Sequence, residues 1–140
     1  MTRADQALGR HRVFVYSRCS TCRKALQWLK ERHIPHVTLD ITSDPPDSEL
    51  LREAMVQLAG RSRLFNTSGA SYRSLGATTV KAMSDVQALA ALAADGKLIK
   101  RPLLVTADGR ITTGFRLEEW EALLGSDPAP SAGRVPRSVP

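Results

Sequence analysis

Cysteine and aromatic side chains are scarce in this 140-residue chain, which has two Cys and 5% aromatic residues. So few cysteines exclude a disulfide-stapled scaffold. The formal net charge of +6 would suit an anionic partner. The low aromatic content and the lack of a nucleic-acid-binding motif argue against direct contact with DNA or RNA. No apolar run approaches about 18 residues, so no membrane span is expected. The opening stretch Met1–Ala7 has no apolar h-region, so no secretory signal is expected either. Internal repeats are absent. What remains is a chain with 42% apolar residues, enough for one domain with one core.

Both cysteines fall in one stretch, Val13 to Leu29. Phe14, Val15 and Tyr16 are the β-branched and aromatic residues of a buried strand. From Ala25 the pattern changes: Ala25, Leu26, Trp28, Leu29 and Ile34 share one helical face, with Arg23, Lys24, Gln27, Lys30 and Glu31 on the other. The turn between strand and helix is Ser17-Arg18-Cys19-Ser20-Thr21-Cys22, so Cys-x-x-Cys sits at a helix N-terminus. Free N–H groups and the helix dipole favour an anion there. A thiolate is such an anion, and Arg18, Arg23 and Lys24 add positive charge. Cys19 is therefore the candidate attacking thiol, and Cys22, one turn further in and more buried, the resolving thiol. The pair is spaced to close a local disulfide. With no export signal, a redox-active pair in a reducing cytoplasm is expected.

Two plainer readings compete. Zinc could be held by Cys19, Cys22, His33 and His36. In a Cys2His2 finger, however, about twelve residues separate the second Cys from the first His, and three to five separate the histidines. Here the gaps are ten and two, with Pro35 between the histidines. No metal is expected. The other reading is a pair of core cysteines with no chemistry.

Along the rest of the chain, residues 1–11 are expected to form a flexible leader. His36–Ile41 reads as a second strand, completing a βαβ unit and a parallel pair. Asp47 or Ser48 caps a helix from about Glu49 to Leu58, with Leu50, Leu51, Met55 and Leu58 inward. Gly60–Gly76 has no clean periodicity, apart from a helical turn near Tyr72–Leu75 ended by Gly76. Ser84 and Gln87 make a capping box for a helix reaching Ala94. Leu98–Val105 reads as a strand entered through Pro102. Asp108-Gly109 joins it, as a hairpin, to a strand at Arg110–Thr113. The last helix covers about Leu117–Leu124, and residues 126–140 have the composition of a disordered tail. The order β-α-β, helices, β-β-α fits an α/β fold, a thioredoxin/glutaredoxin-like four-stranded mixed sheet.

The Val15-Tyr16…Cys19-Ser20-Thr21-Cys22-Arg23-Lys24-Ala25 turn resembles the active-site turn of the ArsC/Spx family. So do Leu64–Gly69, Tyr72-Arg73…Leu75-Gly76 and Leu98-Ile99-Lys100-Arg101-Pro102. The resemblance covers residues 12–125. It implies a thioredoxin-like domain with a helical insertion at about 47–96 and a cis peptide before Pro102. That family includes glutaredoxin-coupled arsenate reductases, related thiol proteins, and Spx-type regulators that bind the α subunit of RNA polymerase. The resemblance implies catalytic roles for Cys19, Cys22 and Arg101, with substrate held by Ser20, Thr21, Asn66, Arg101 and Pro102. It implies reduction of a small oxyanion such as arsenate, or of a disulfide, with glutathione, glutaredoxin or thioredoxin as reductant and no bound cofactor. Further arginines of the arsenate reductases fall where this chain has Asn66 and Gly114; Arg63, Arg73 and Arg116 lie close by in sequence.

Overall fold

The computed structural model describes residues 9–125, so residues 1–8 of the expected leader and the expected tail at 126–140 lie outside the described residues. Strand β1 (Arg12–Val15) is followed by helix α1 (Ser20–Glu31) and strand β2 (Val37–Asp40). Four helices come next: α2 (Ser48–Gln57), α3 (Ala70–Leu75), α4 (Ala77–Ala82) and α5 (Asp85–Ala94). A 3-10 turn (Gly96–Leu98) leads into strands β3 (Leu103–Val105) and β4 (Ile111–Thr113), and the chain then forms helix α6 (Leu117–Leu124). The sheet order is β2-β1-β3-β4. β1 and β2 are parallel, a pairing that needs a crossover, and α1 supplies it. β3 is antiparallel to both β1 and β4. The α/β class and the mixed four-stranded thioredoxin-like sheet are as the sequence leads one to expect.

Period-two alternation divides the core between the two faces of the sheet. Val13 and Leu104 point to one side, where they pack with Ala25, Leu29 and Trp120 of α1 and α6. Phe14, Leu103 and Val105 point to the other, against Leu51 and Ala54 of α2, Leu92 of α5, and Ile99. α1 buries Cys22, Ala25 and Leu29, spaced three and four apart, as one helical stripe requires.

Local signals set most element ends. Asp47 Oδ1 accepts from Leu50 N at 2.8 Å and starts α2. Ser84 and Gln87 form the full capping box of α5. Gly76, at φ +91°, ends α3 and starts α4. Three features differ from the sequence expectation. α1 ends at Glu31, so Ile34 follows the helix and completes no face of it. α4 carries no sequence signal, because Val80 is its single buried anchor and gives no periodicity. The strand expected at Leu98–Val105 shortens to Leu103–Val105; Ile99 instead bridges Phe65. His11 is already tied down: its carbonyl accepts from Val37 N, and its Nδ1 accepts from Ala107 N at 2.9 Å.

Gly96 is a steric requirement. A Cβ there would stand 1.9 Å from the Ile41 carbonyl oxygen, so the segment leading to β3 could not lie against the end of β2. Gly96→Ala is expected to cost about 1–3 kcal/mol, as overpacking typically does, read as a lower urea midpoint at unchanged slope.

Candidate active site

β1 ends at Val15, and the chain turns through Ser17 and Arg18, with Cys19 N donating to Tyr16 O at 3.0 Å. Cys19 is the N-cap of α1. Its Sγ accepts a hydrogen bond from Cys22 N at 3.2 Å, so the sulfur takes the place of a capping oxygen. No acidic residue sits in the first turn of α1. The sulfur therefore lies at the positive end of the α1 dipole, beside a backbone N–H donor. Cys19 is half-buried and Cys22 is buried; both are free thiols.

Burial pushes the Cys22 thiol up to about 12 from 9.0, helped by its hydrogen bond with Cys19 and opposed by the nearby Arg101 charge. At neutral pH Cys22 is therefore a protonated thiol, as a resolving residue should be before the first bond forms. The shift also has a stability consequence. Above pH 9 the unfolded chain loses this proton while the folded chain keeps it, so the folded state binds more protons. Stability from this group is complete below pH 9 and is lost progressively as pH rises toward 12. Cys22→Ala should flatten the alkaline limb of a stability-against-pH curve, measured by urea unfolding.

Cys19 opens into a cleft of about 450 Å³. Ser20 and Thr21 line it from the first turn of α1, and Asn66, Lys100 and Arg101 line it from the opposite side. An antiparallel bridge holds that side. Asn66 N donates to Leu98 O and Lys100 N donates to Leu64 O, both at 2.7 Å, and Phe65 bridges Ile99. The Arg101–Pro102 peptide is cis. The Arg101 guanidinium lies over the Tyr16 ring, 4.7 Å from its centroid, and donates to Lys97 O at 3.1 Å. These contacts aim the charge toward the cysteine turn.

Cys19, Ser20, Thr21, Asn66 and Arg101 thus share one cleft, and Cys22 lies directly beneath Cys19. Pro102 is buried behind the lining, where its carbonyl accepts from Gly114 N at 2.8 Å. The three nearby arginines part company. Arg116 lines the cleft. Arg63 is held by Glu119, at 2.9 Å to Oε1 and 3.1 Å to Oε2, and by Thr113 O. That hydrogen bonding holds the Glu119 carboxyl below its usual range. Arg73 donates to Ser68 O on the surface. Sequence reasoning assigns no role to Lys100; its position beside Arg101 in Ile-Lys-Arg-Pro is the available signal. His33 and His36 follow the far end of α1, about 18 Å from Cys19 at helical rise, so the four zinc candidates do not meet. Among the described residues, no helix is long and apolar enough to cross a membrane.

The lining charges of the cleft are Arg18, Lys100, Arg101 and Arg116, with no carboxylate among them. A half-buried thiol at a helix start, facing four cations, can attack an electrophile that carries negative charge.

The chain is similar to known proteins in sequence and in fold. The uncharacterised protein YusI of Bacillus subtilis is 41% identical over 110 residues, 76% of this chain and 91% of its own. The crystal structure of an ArsC-family-related protein from Bacteroides fragilis superposes with a TM-score of 0.74 at 37% identity, covering 81% of this chain and 97% of that one. The global transcriptional regulator Spx 1 of Bacillus cereus is 27% identical over 108 residues, 76% of this chain and 80% of its own. The ArsC family model matches residues 14–123. With its thioredoxin-like sheet and this cysteine turn, the chain belongs to the ArsC family.

Proposed function

We propose that the protein is a cytoplasmic thiol oxidoreductase that reduces an oxyanion such as arsenate, or a disulfide. The observation that carries this reading is Cys19 capping α1 at the mouth of an all-cationic cleft. With arsenate, the Cys19 thiolate forms a sulfur–arsenic bond and a hydroxide leaves as water. A second thiol, from glutathione, glutaredoxin or Cys22, then attacks the Cys19 sulfur. Two thiols become one disulfide, and arsenic(V) takes the two electrons as arsenic(III). With a disulfide substrate, Cys19 forms a mixed disulfide and the second thiol resolves it. Arg101 and the N–H groups of the α1 start stabilise the negative charge in either case. The test is arsenate-dependent oxidation of reduced glutathione by purified protein with glutaredoxin present, beside reduction of a glutathione mixed disulfide. Turnover of either supports the reading; turnover of neither overturns it.

A second reading draws on the likeness to Spx 1 and on the Cys19–Cys22 spacing. In it the disulfide is a redox signal that alters a surface binding the carboxy-terminal domain of the RNA polymerase α chain. Capture of that domain by the protein in one redox state and not the other would support it. Absence of capture in both states would eliminate it.

A further inference from the structure

Among the cations of the cleft, Lys100 stands apart. Arg101 is engaged by the Tyr16 ring and Lys97 O, and Arg116 lies 3.7 Å from Glu119. Arg18 is exposed to water. Lys100 is half-buried and, among the described residues, has no carboxylate within ion-pair distance. A lysine in a cleft with no carboxylate beside it can pair with a negatively charged ligand.

Its setting is built. The backbone of Lys100 is fixed by its N–H bond to Leu64 O and by the neighbouring Ile99–Phe65 bridge. The end of its aliphatic stem lies by Gly114, where a Cβ would meet Lys100 Cε at 3.5 Å, an ordinary contact distance. Gly114 is at φ +77° and its N–H is bonded to Pro102 O, so this bare stretch of backbone is itself held in place. The lysine stem thus lies at contact distance from the backbone of residue 114, and Lys100 lines the cleft shared by Cys19 and Arg101.

We propose that Lys100 is a substrate-binding residue, holding a negatively charged group of the substrate beside the sulfur of Cys19 in the cleft that both residues line. This deepens the thiol-oxidoreductase reading and rests on it for the identity of the reaction. It selects electrophiles that carry an anionic substituent next to the reacting atom.

Two alkylating probes that differ in charge separate binding from thiol reactivity. Iodoacetate carries a carboxylate; iodoacetamide is its neutral counterpart. Rates of modification at Cys19, followed by mass spectrometry, give the ratio of the anionic to the neutral probe. In Lys100→Gln this ratio should fall about fivefold, the effect of one unit charge at contact distance in a watery site, because any change in the thiol itself affects both probes alike and cancels in the ratio. Lys100→Arg should keep the ratio, because it keeps the charge. Equal loss of both rates in Lys100→Gln would mean that the lysine acts on the thiol, and would overturn the proposal. So would an unchanged ratio, or an equal loss of ratio in Lys100→Arg. Failure of arsenate and disulfide turnover would count against the reaction and leave the ratio as it is, so the two readings fail separately.

Discussion

Cys19→Ser is expected to abolish turnover, by roughly 10⁴-fold or more, the scale on which loss of a nucleophile acts. The reason is electronic. A serine hydroxyl at this position has no neighbouring base to remove its proton, since the charged residues lining the cleft are all cations. The fold should not change, since serine is itself a favoured N-cap and its oxygen can accept from Cys22 N as the sulfur does. Thermal unfolding of the variant should therefore match the parent to within about 0.5 kcal/mol. Lost turnover with unchanged stability assigns the chemistry to the sulfur. Retained turnover would place the nucleophile elsewhere. Cys22→Ser is a contrasting case: with glutathione in excess an external thiol can resolve the adduct, so turnover should persist.

Trp120→Ala should be the most destabilising single change of those considered, at about 3–5 kcal/mol. Trp120 is fully buried between the sheet and α1. Its ring stands edge-on to Phe115 at 5.0 Å and to Trp28 at 6.2 Å. Its Nε1 donates to Gly114 O at 3.0 Å. Truncation would open a cavity, break both ring contacts and leave that carbonyl without its donor. Against a domain stability of about 5–15 kcal/mol, this is a large share. The loss reaches the site as well, because Gly114 and Phe115 line the cleft. Trp120→Phe keeps most of the volume but removes the donor and leaves a small void. It should cost about 1–3 kcal/mol, as for an unsatisfied acceptor, and should lower activity through Gly114 more than through global unfolding. Urea unfolding and turnover measured on the same samples separate the two effects.

The site is legible from sequence where its geometry is local. The i, i+3 spacing of Cys19 and Cys22 at a strand-to-helix boundary indicates which thiol is the more accessible, and in the structure Cys19 is half-buried while Cys22 is buried. Asp47, Ser84 with Gln87, and Asp108-Gly109 mark real element ends, since each works through hydrogen bonds or turn geometry within a few residues. What stays hidden depends on contacts distant in sequence. Periodicity cannot show that Ile99 would bridge Phe65 and thereby shorten β3. Nor can it show that Arg63 would be held by Glu119 while Arg116 is left in the cleft. The same applies to Lys100, whose place is set by the pairing of 64–66 with 98–100 and by the bare backbone of Gly114.

The measurement closest to the central claim is competitive labelling of the native protein with limiting iodoacetamide at pH 7. The account predicts modification at Cys19, faster than at free cysteine under the same conditions, with Cys22 unlabelled until the chain is unfolded. Labelling of Cys22 ahead of Cys19, or a Cys19 no faster than free cysteine, would contradict it.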